Sequence, residues 1–151
     1  MLNVGTKVSD FTLSDAYGKM HSLSDFLGKK VVIYFYPKDD TPGCTTQACA
    51  FRDAYEDFKA FNVQVIGISK DDEKSHKKFI EKYNLPFLLL SDVETKVAEM
   101  FGVWVEKSMY GKKYMGMQRS TFIINEEGII THVFEKASPS ENAIDILKAL
   151  K

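Results

Sequence analysis

Long apolar runs are missing from this chain, and so is any surplus of charge. No stretch approaches the length needed to cross a membrane. The first residues, Met1 to Lys7, hold no apolar segment of signal-peptide length. The expected compartment is therefore the cytoplasm. Lys plus Arg total 20 and Asp plus Glu total 21, leaving a net charge of −1. That balance removes the general electrostatic case for nucleic acid or an anionic membrane as partner. The lysine pairs at 29–30, 77–78 and 112–113 are scattered and read as solvated surface. Histidine is scarce: His21, His76 and His132 stand far apart. The only cysteines, Cys44 and Cys49, are spaced C-x4-C rather than C-x2-C. Neither set suits a metal, and no cofactor is expected. Two cysteines in a cytoplasmic protein point to catalysis or redox chemistry rather than a structural staple. Linkers, repeats and low-complexity segments are also lacking. One domain is expected over residues 1–151, long enough to bury a sizeable core.

What is present centres on residues 34–53, which contain both cysteines. Before them, Val31-Val32-Ile33-Tyr34-Phe35-Tyr36 is an unbroken apolar run that reads as a strand buried on both faces. After them, Ala48, Phe51, Tyr55 and Phe58 recur at helical spacing, so the pattern predicts one helix from about Thr45 to about Phe61. The loop between holds Pro37, Pro42 and Gly43. Cys44 thus falls where a loop from a central strand enters a helix. The first N–H groups of a helix lack partners and its dipole favours negative charge, which biases a thiol there toward thiolate.

The remaining chain supplies the frame. Phe11–Leu13 and His21–Leu23 read as a small hairpin, Val63–Ser69 and Phe87–Ser91 as strands, and 71–83 and 94–101 as helices. Val103–Val105 reads as a short strand and Tyr110–Lys113 as a turn. Ser120–Ile124 and Ile129–Phe134 form a hairpin across Asn125–Gly128. Ser138-Pro139-Ser140-Glu141 has the pattern of a capping box opening a last helix. The order βαβαβ, hairpin, helix predicts an α/β fold: a mixed central sheet with helices on both faces.

Pro37-x-x-x-Thr41-x-x-Cys44 resembles the peroxiredoxin active-site pattern. Cys49 followed by Phe51-Arg52-Asp53 is similar to the peroxiredoxin Q, or bacterioferritin comigratory protein, subfamily, as are Tyr110-Gly111-Lys112, Arg119-Ser120-Thr121-Phe122-Ile123-Ile124 and Gly128. The resemblance runs from about residue 5 to the C-terminus. It implies a thioredoxin-like fold and reduction of hydroperoxides by a thiol. It implies Cys44 as the peroxidatic nucleophile, Cys49 as the resolving thiol, Arg119 as the catalytic cation and Thr41 as an active-site hydroxyl. Pro37 would shape the loop and shield the sulfur. The implied reductant is thioredoxin or a glutaredoxin, and the implied state is a monomer, with a weak homodimer as the alternative. Many relatives carry Glu where this chain has Gln47, which accepts a hydrogen bond but brings no charge. Arg52 stands open between supporting the site and pairing with Asp53 or Glu56, and His76 reads as an ordinary helix residue. Rival readings are a thioredoxin-type disulfide oxidoreductase, disfavoured by the spacing, and a thiol redox sensor without turnover.

Five residues along an intact helix turn roughly 140° net and rise about 7.5 Å. Cys44 then shares a face with Ala48 and Phe51, and Cys49 with Arg52 and Asp53. Their Cα atoms would stand roughly 8–9 Å apart, beyond the approximately 7 Å limit for a disulfide. A Cys44–Cys49 bond therefore requires residues of about 44–50 to unwind.

Overall fold

The structure, a computed structural model, describes residues 1–151. The apolar run becomes β3 (Lys30–Phe35), flanked by β4 (Val63–Ser69) and then β5 (Leu88–Ser91), all parallel. On its other side β3 pairs antiparallel with β8 (Ser120–Ile124), which pairs with β9 (Ile130–Glu135). The hairpin of β1 (Thr12–Asp15) and β2 (Met20–Ser22) closes the far edge through β1 and β5, followed by a 3₁₀ turn at Leu23–Phe26. The seven-stranded order is β2-β1-β5-β4-β3-β8-β9. The mixed central sheet expected above is the one found.

Alternation along β3 divides the core. Val31, Ile33 and Phe35 face one side, with Phe122 of β8 and Val97, Ala98 and Phe101 of α4 (Lys96–Phe101). Val32, Tyr34 and Tyr36 face the other. There they meet α1 (Pro42–Asp53), α2 (Tyr55–Ala60), α3 (Glu73–Tyr83) and α5 (Asn142–Leu150) through Ala48, Phe51, Phe58, Phe79 and Ile146. Side chains of period two in strands bury both faces only when both are covered, which is why β3 reads as a continuous apolar run. No helix is long and apolar enough to cross a membrane.

Three local expectations change. The helix predicted over 45–61 is two, because Ala54 (φ −94°, ψ 5°) leaves the helical range and ends α1. Val103–Val105 opens a longer element, β6 (Trp104–Met109), which pairs with β7 (Lys112–Met117) as a separate two-stranded hairpin. Mostly exposed side chains hide its alternation from the sequence. The capping box at Ser138 does not form: α5 starts only at Asn142, with no side-chain cap.

Gly67 of β4 is where the layer beneath α1 is tightest. A Cβ there would stand 2.7 Å from Leu89 Cδ2 and 2.8 Å from Tyr34 Cζ, and the Tyr34 ring already stacks on Phe51 at 4.6 Å between centroids. Gly67→Ala is expected to lower the unfolding free energy by about 1–3 kcal/mol, the usual cost of overpacking. Urea titration checks this, and a change below about 0.5 kcal/mol would show that the layer has slack.

Candidate active site

The site is assembled where β3 ends. The chain leaves the sheet after Tyr36, turns through residues 37–41, and enters α1 at Pro42, a residue suited to the first helical position. Cys44 therefore lies in the first turn of α1, with its side chain buried (2% exposed) against Tyr34, Ala48 and Phe51. Cys49 lies further along the same helix, partly buried, and both thiols are free.

Register brings in the cation. β8 runs antiparallel to β3 with Ser120 opposite Phe35, so Arg119 lies one step beyond the strand, level with the start of the cysteine loop. Its Nη2 donates to Cys44 Sγ at 3.4 Å, and its Nη1 donates to Gln47 Oε1 at 2.7 Å. Gln47, fully buried, donates through Nε2 to Asn142 Oδ1 at 3.1 Å, and Thr121 Oγ1 donates to the same oxygen at 2.8 Å. Arg119, Gln47, Asn142 and Thr121 thus satisfy one another in a single run of hydrogen bonds. The arrangement fixes the guanidinium from behind, with one N–H aimed at sulfur. Gly43 makes room for it: a Cβ there would lie 3.1 Å from Nη2.

A second cation stands nearby. Lys107 of β6 is half-buried and donates to the Met117 carbonyl. Burial pushes its pKa down, with Arg119 adding to the effect and Cys44 opposing it. Lys107 and Arg119 line one open groove with Val105, Glu106, Gln118 and Ala137. Tyr34, beneath α1, has its pKa held well above the ordinary tyrosine value, first by burial and then by Cys44 and Asp39.

The other residues singled out in the sequence occupy different places. Thr41 is the N-cap of α1, but its hydroxyl proton goes to the Lys38 carbonyl at 2.9 Å, which leaves the oxygen to accept rather than donate. Pro37 is exposed in the loop. Arg52 does not join the site; it pairs with Asp53 at 3.1 Å and donates through Nη1 to the Tyr83 carbonyl at 2.8 Å, at the end of α3. His76 does lie in a helix, α3, but it is fully buried with Asp39. Gln118, Asn142 and Lys107 carry no sequence signal for this site, since only the fold brings them near.

The AhpC/TSA family model matches residues 4–133. A putative peroxiredoxin bcp of Coxiella burnetii is 50% identical over 149 residues, covering 99% of each chain. Among solved structures, a mutant of PrxQ from Xylella fastidiosa aligns with a TM-score of 0.95 and 32% identity over 99% of this chain and 96% of that one. The Xanthomonas campestris bacterioferritin comigratory protein, studied for alkyl peroxide reduction, aligns at a TM-score of 0.89 and 37% identity over 93% of this chain and 89% of that one.

Proposed function

Given that the chain belongs to the AhpC/TSA family and is a thiol-dependent peroxidase, we propose that Cys44 is its peroxidatic thiol and that the domain spans residues 1–151. The observation that carries this reading is the contact of Arg119 Nη2 with Cys44 Sγ, 3.4 Å, at the first turn of a helix. The thiolate attacks one peroxide oxygen and the O–O bond breaks. Water or an alcohol leaves with a proton, and cysteine sulfenic acid remains. Charge grows on the departing oxygen as the bond breaks, and Arg119 and the unpaired N–H groups opening α1 stand ready to stabilise it. Thr41 serves as an acceptor for a peroxide O–H. Pro37 limits the loop's freedom.

Cys49 then attacks the sulfenic sulfur, releasing water and forming the Cys44–Cys49 disulfide. A thiol reductant closes the cycle by exchange; a dithiol protein such as thioredoxin or a glutaredoxin fits that step. The working unit is a monomer in the cytoplasm. The substrate class includes hydrogen peroxide and organic hydroperoxides. The test is peroxide-dependent oxidation of NADPH through thioredoxin reductase and thioredoxin. Sustained turnover supports the reading, whereas one equivalent of oxidation followed by arrest would identify a sensor.

Both thiols lie on one intact helix, so the disulfide requires α1 to open over about residues 44–50. Amide hydrogen exchange should show protection lost there on oxidation and retained beyond Phe51. Equal protection in both states, with the bond confirmed by mass, would overturn the unwinding. In Cys49→Ser the sulfenic acid should persist, and excess peroxide should carry it to sulfinic acid, read by intact mass.

A further inference from the structure

Outside the thiol site, a buried carboxylate, Asp39, stands in the loop between β3 and α1 with three side-chain partners. Its side chain is 3% exposed. Tyr36 Oη donates to Oδ1 at 2.5 Å, while Ser75 Oγ at 2.8 Å and His76 Nδ1 at 2.7 Å meet Oδ2. The Asp39 amide donates to Asp71 Oδ2 at 2.9 Å. His76 is fully buried, and its Nε2 faces the Leu90 carbonyl at 3.1 Å. A carbonyl only accepts, so Nε2 carries a hydrogen, and one further proton is shared between Nδ1 and Oδ2. The loop is thus bolted to α3 and β5 by a buried, fully partnered pair.

The next residue is held as well. Asp40 has φ 55°, in the left-handed region, and its carboxylate takes Lys82 Nζ and Tyr83 Oη, each at 2.9 Å. Downstream of both cysteines, Arg52 is tied to the Tyr83 carbonyl. One helix, α3, therefore grips the chain before Cys44 and after Cys49, leaving the segment 41–51 between two fixed points. Nothing in peroxide chemistry requires a histidine here, and His76 does not touch the thiol.

We propose that Asp39 and His76 are positioning residues of the peroxidase: the pair anchors the cysteine loop to α3, sets Cys44 against Arg119, and stays formed when α1 opens, so that opening is confined to residues 41–51. This inference rests on Cys44 and Cys49 being the reacting thiols. An anchor of this kind acts unequally on the two oxidative steps. Attack on peroxide needs Cys44 held in one place, whereas closure of the disulfide needs only that the unwound segment be free.

The test uses His76→Phe, which keeps a planar ring and deletes both N–H groups, with His76→Gln, which retains a donor. Quenched-flow mass spectrometry follows the two steps separately. In His76→Phe, oxidation of Cys44 should slow by roughly tenfold or more while disulfide closure changes less than about threefold, the scale expected for losing a buried charge-assisted bond. His76→Gln should recover most of that loss. In the unmodified protein, the Asp39 amide, which donates to Asp71, should be as protected when oxidised as when reduced, and His76→Phe should lose that protection in the disulfide form. Should His76→Phe not fold, Asp39→Ala carries the same comparison from the loop side. Equal slowing of both steps, no slowing, or loss of protection at the Asp39 amide on oxidation of the unmodified protein would overturn the anchor. Failure of Cys44 to oxidise in the unmodified protein would instead overturn the active-site reading beneath it.

Discussion

Cys44→Ser is expected to abolish peroxide turnover and leave the fold in place. The substitution exchanges one buried atom, and the serine oxygen still accepts from Arg119, so the polar chain through Gln47 and Asn142 keeps its partners. A hydroxyl is scarcely ionised near neutral pH, and no general base stands beside it to draw its proton. The nucleophile is lost while the surrounding charges stay. Coupled NADPH oxidation should fall to background with thermal unfolding little changed. Residual turnover above a few per cent would place the reaction at another group.

Arg119→Ala is expected to cut the rate constant with peroxide by roughly 100-fold, the usual effect of removing one donor aimed at developing charge. It is tempting to credit such an arginine with making thiolate. The arithmetic argues otherwise. Lowering a thiol's pKa from about 8.5 to about 5.5 raises the thiolate fraction at pH 7 roughly 30-fold. Nucleophilicity falls with basicity, and a Brønsted slope of about 0.45, taken from disulfide exchange, costs roughly 20-fold over the same three units. The two effects nearly cancel, so on the proposed mechanism the guanidinium matters chiefly while the O–O bond is breaking. Stopped-flow rates across pH separate the accounts. If raising the pH restored the full rate to Arg119→Ala, thiolate formation would be the arginine's contribution and transition-state stabilisation would not. The same variant leaves Gln47 Oε1 buried without its donor, which should lower stability by about 1–3 kcal/mol.

How much of this was legible in the sequence varied with the range of the interaction. The Pro37–Cys44 loop, the strand before it and the helix after it are local, and local pattern was enough to place the thiol at a helix start. Arg119 is 75 positions from Cys44, and only the antiparallel register of β8 on β3 puts them together. No periodicity carries that information; the resemblance did. His76 read as an ordinary helix residue, and its burial went unnoticed because Ser75, Lys77 and Lys78 around it are polar. Yet it stands three, four and seven positions before Phe79, Ile80 and Tyr83, the stripe that α3 turns inward. Its position, not its type, was the signal. At the C-terminus, Ser138–Glu141 looked like a helix start, but Asn142 opens α5 with its side chain turned in to Thr121 and Gln47. The tertiary use of Asn142 prevails over the local capping pattern there.

The sulfur and the guanidinium belong to different layers: Cys44 is rooted in a helix, Arg119 at the end of a strand. In the proposed cycle the helix turn opens, so that the sulfur departs and the cation stays with the sheet. The oxidised enzyme then has no complete peroxide site, and the reduced one offers no disulfide to a donor. On that cycle the two substrates are expected never to occupy the protein together. Steady-state kinetics should accordingly be ping-pong, with parallel double-reciprocal lines and no ternary complex. High peroxide should not act as a dead-end competitor of the reducing half-reaction.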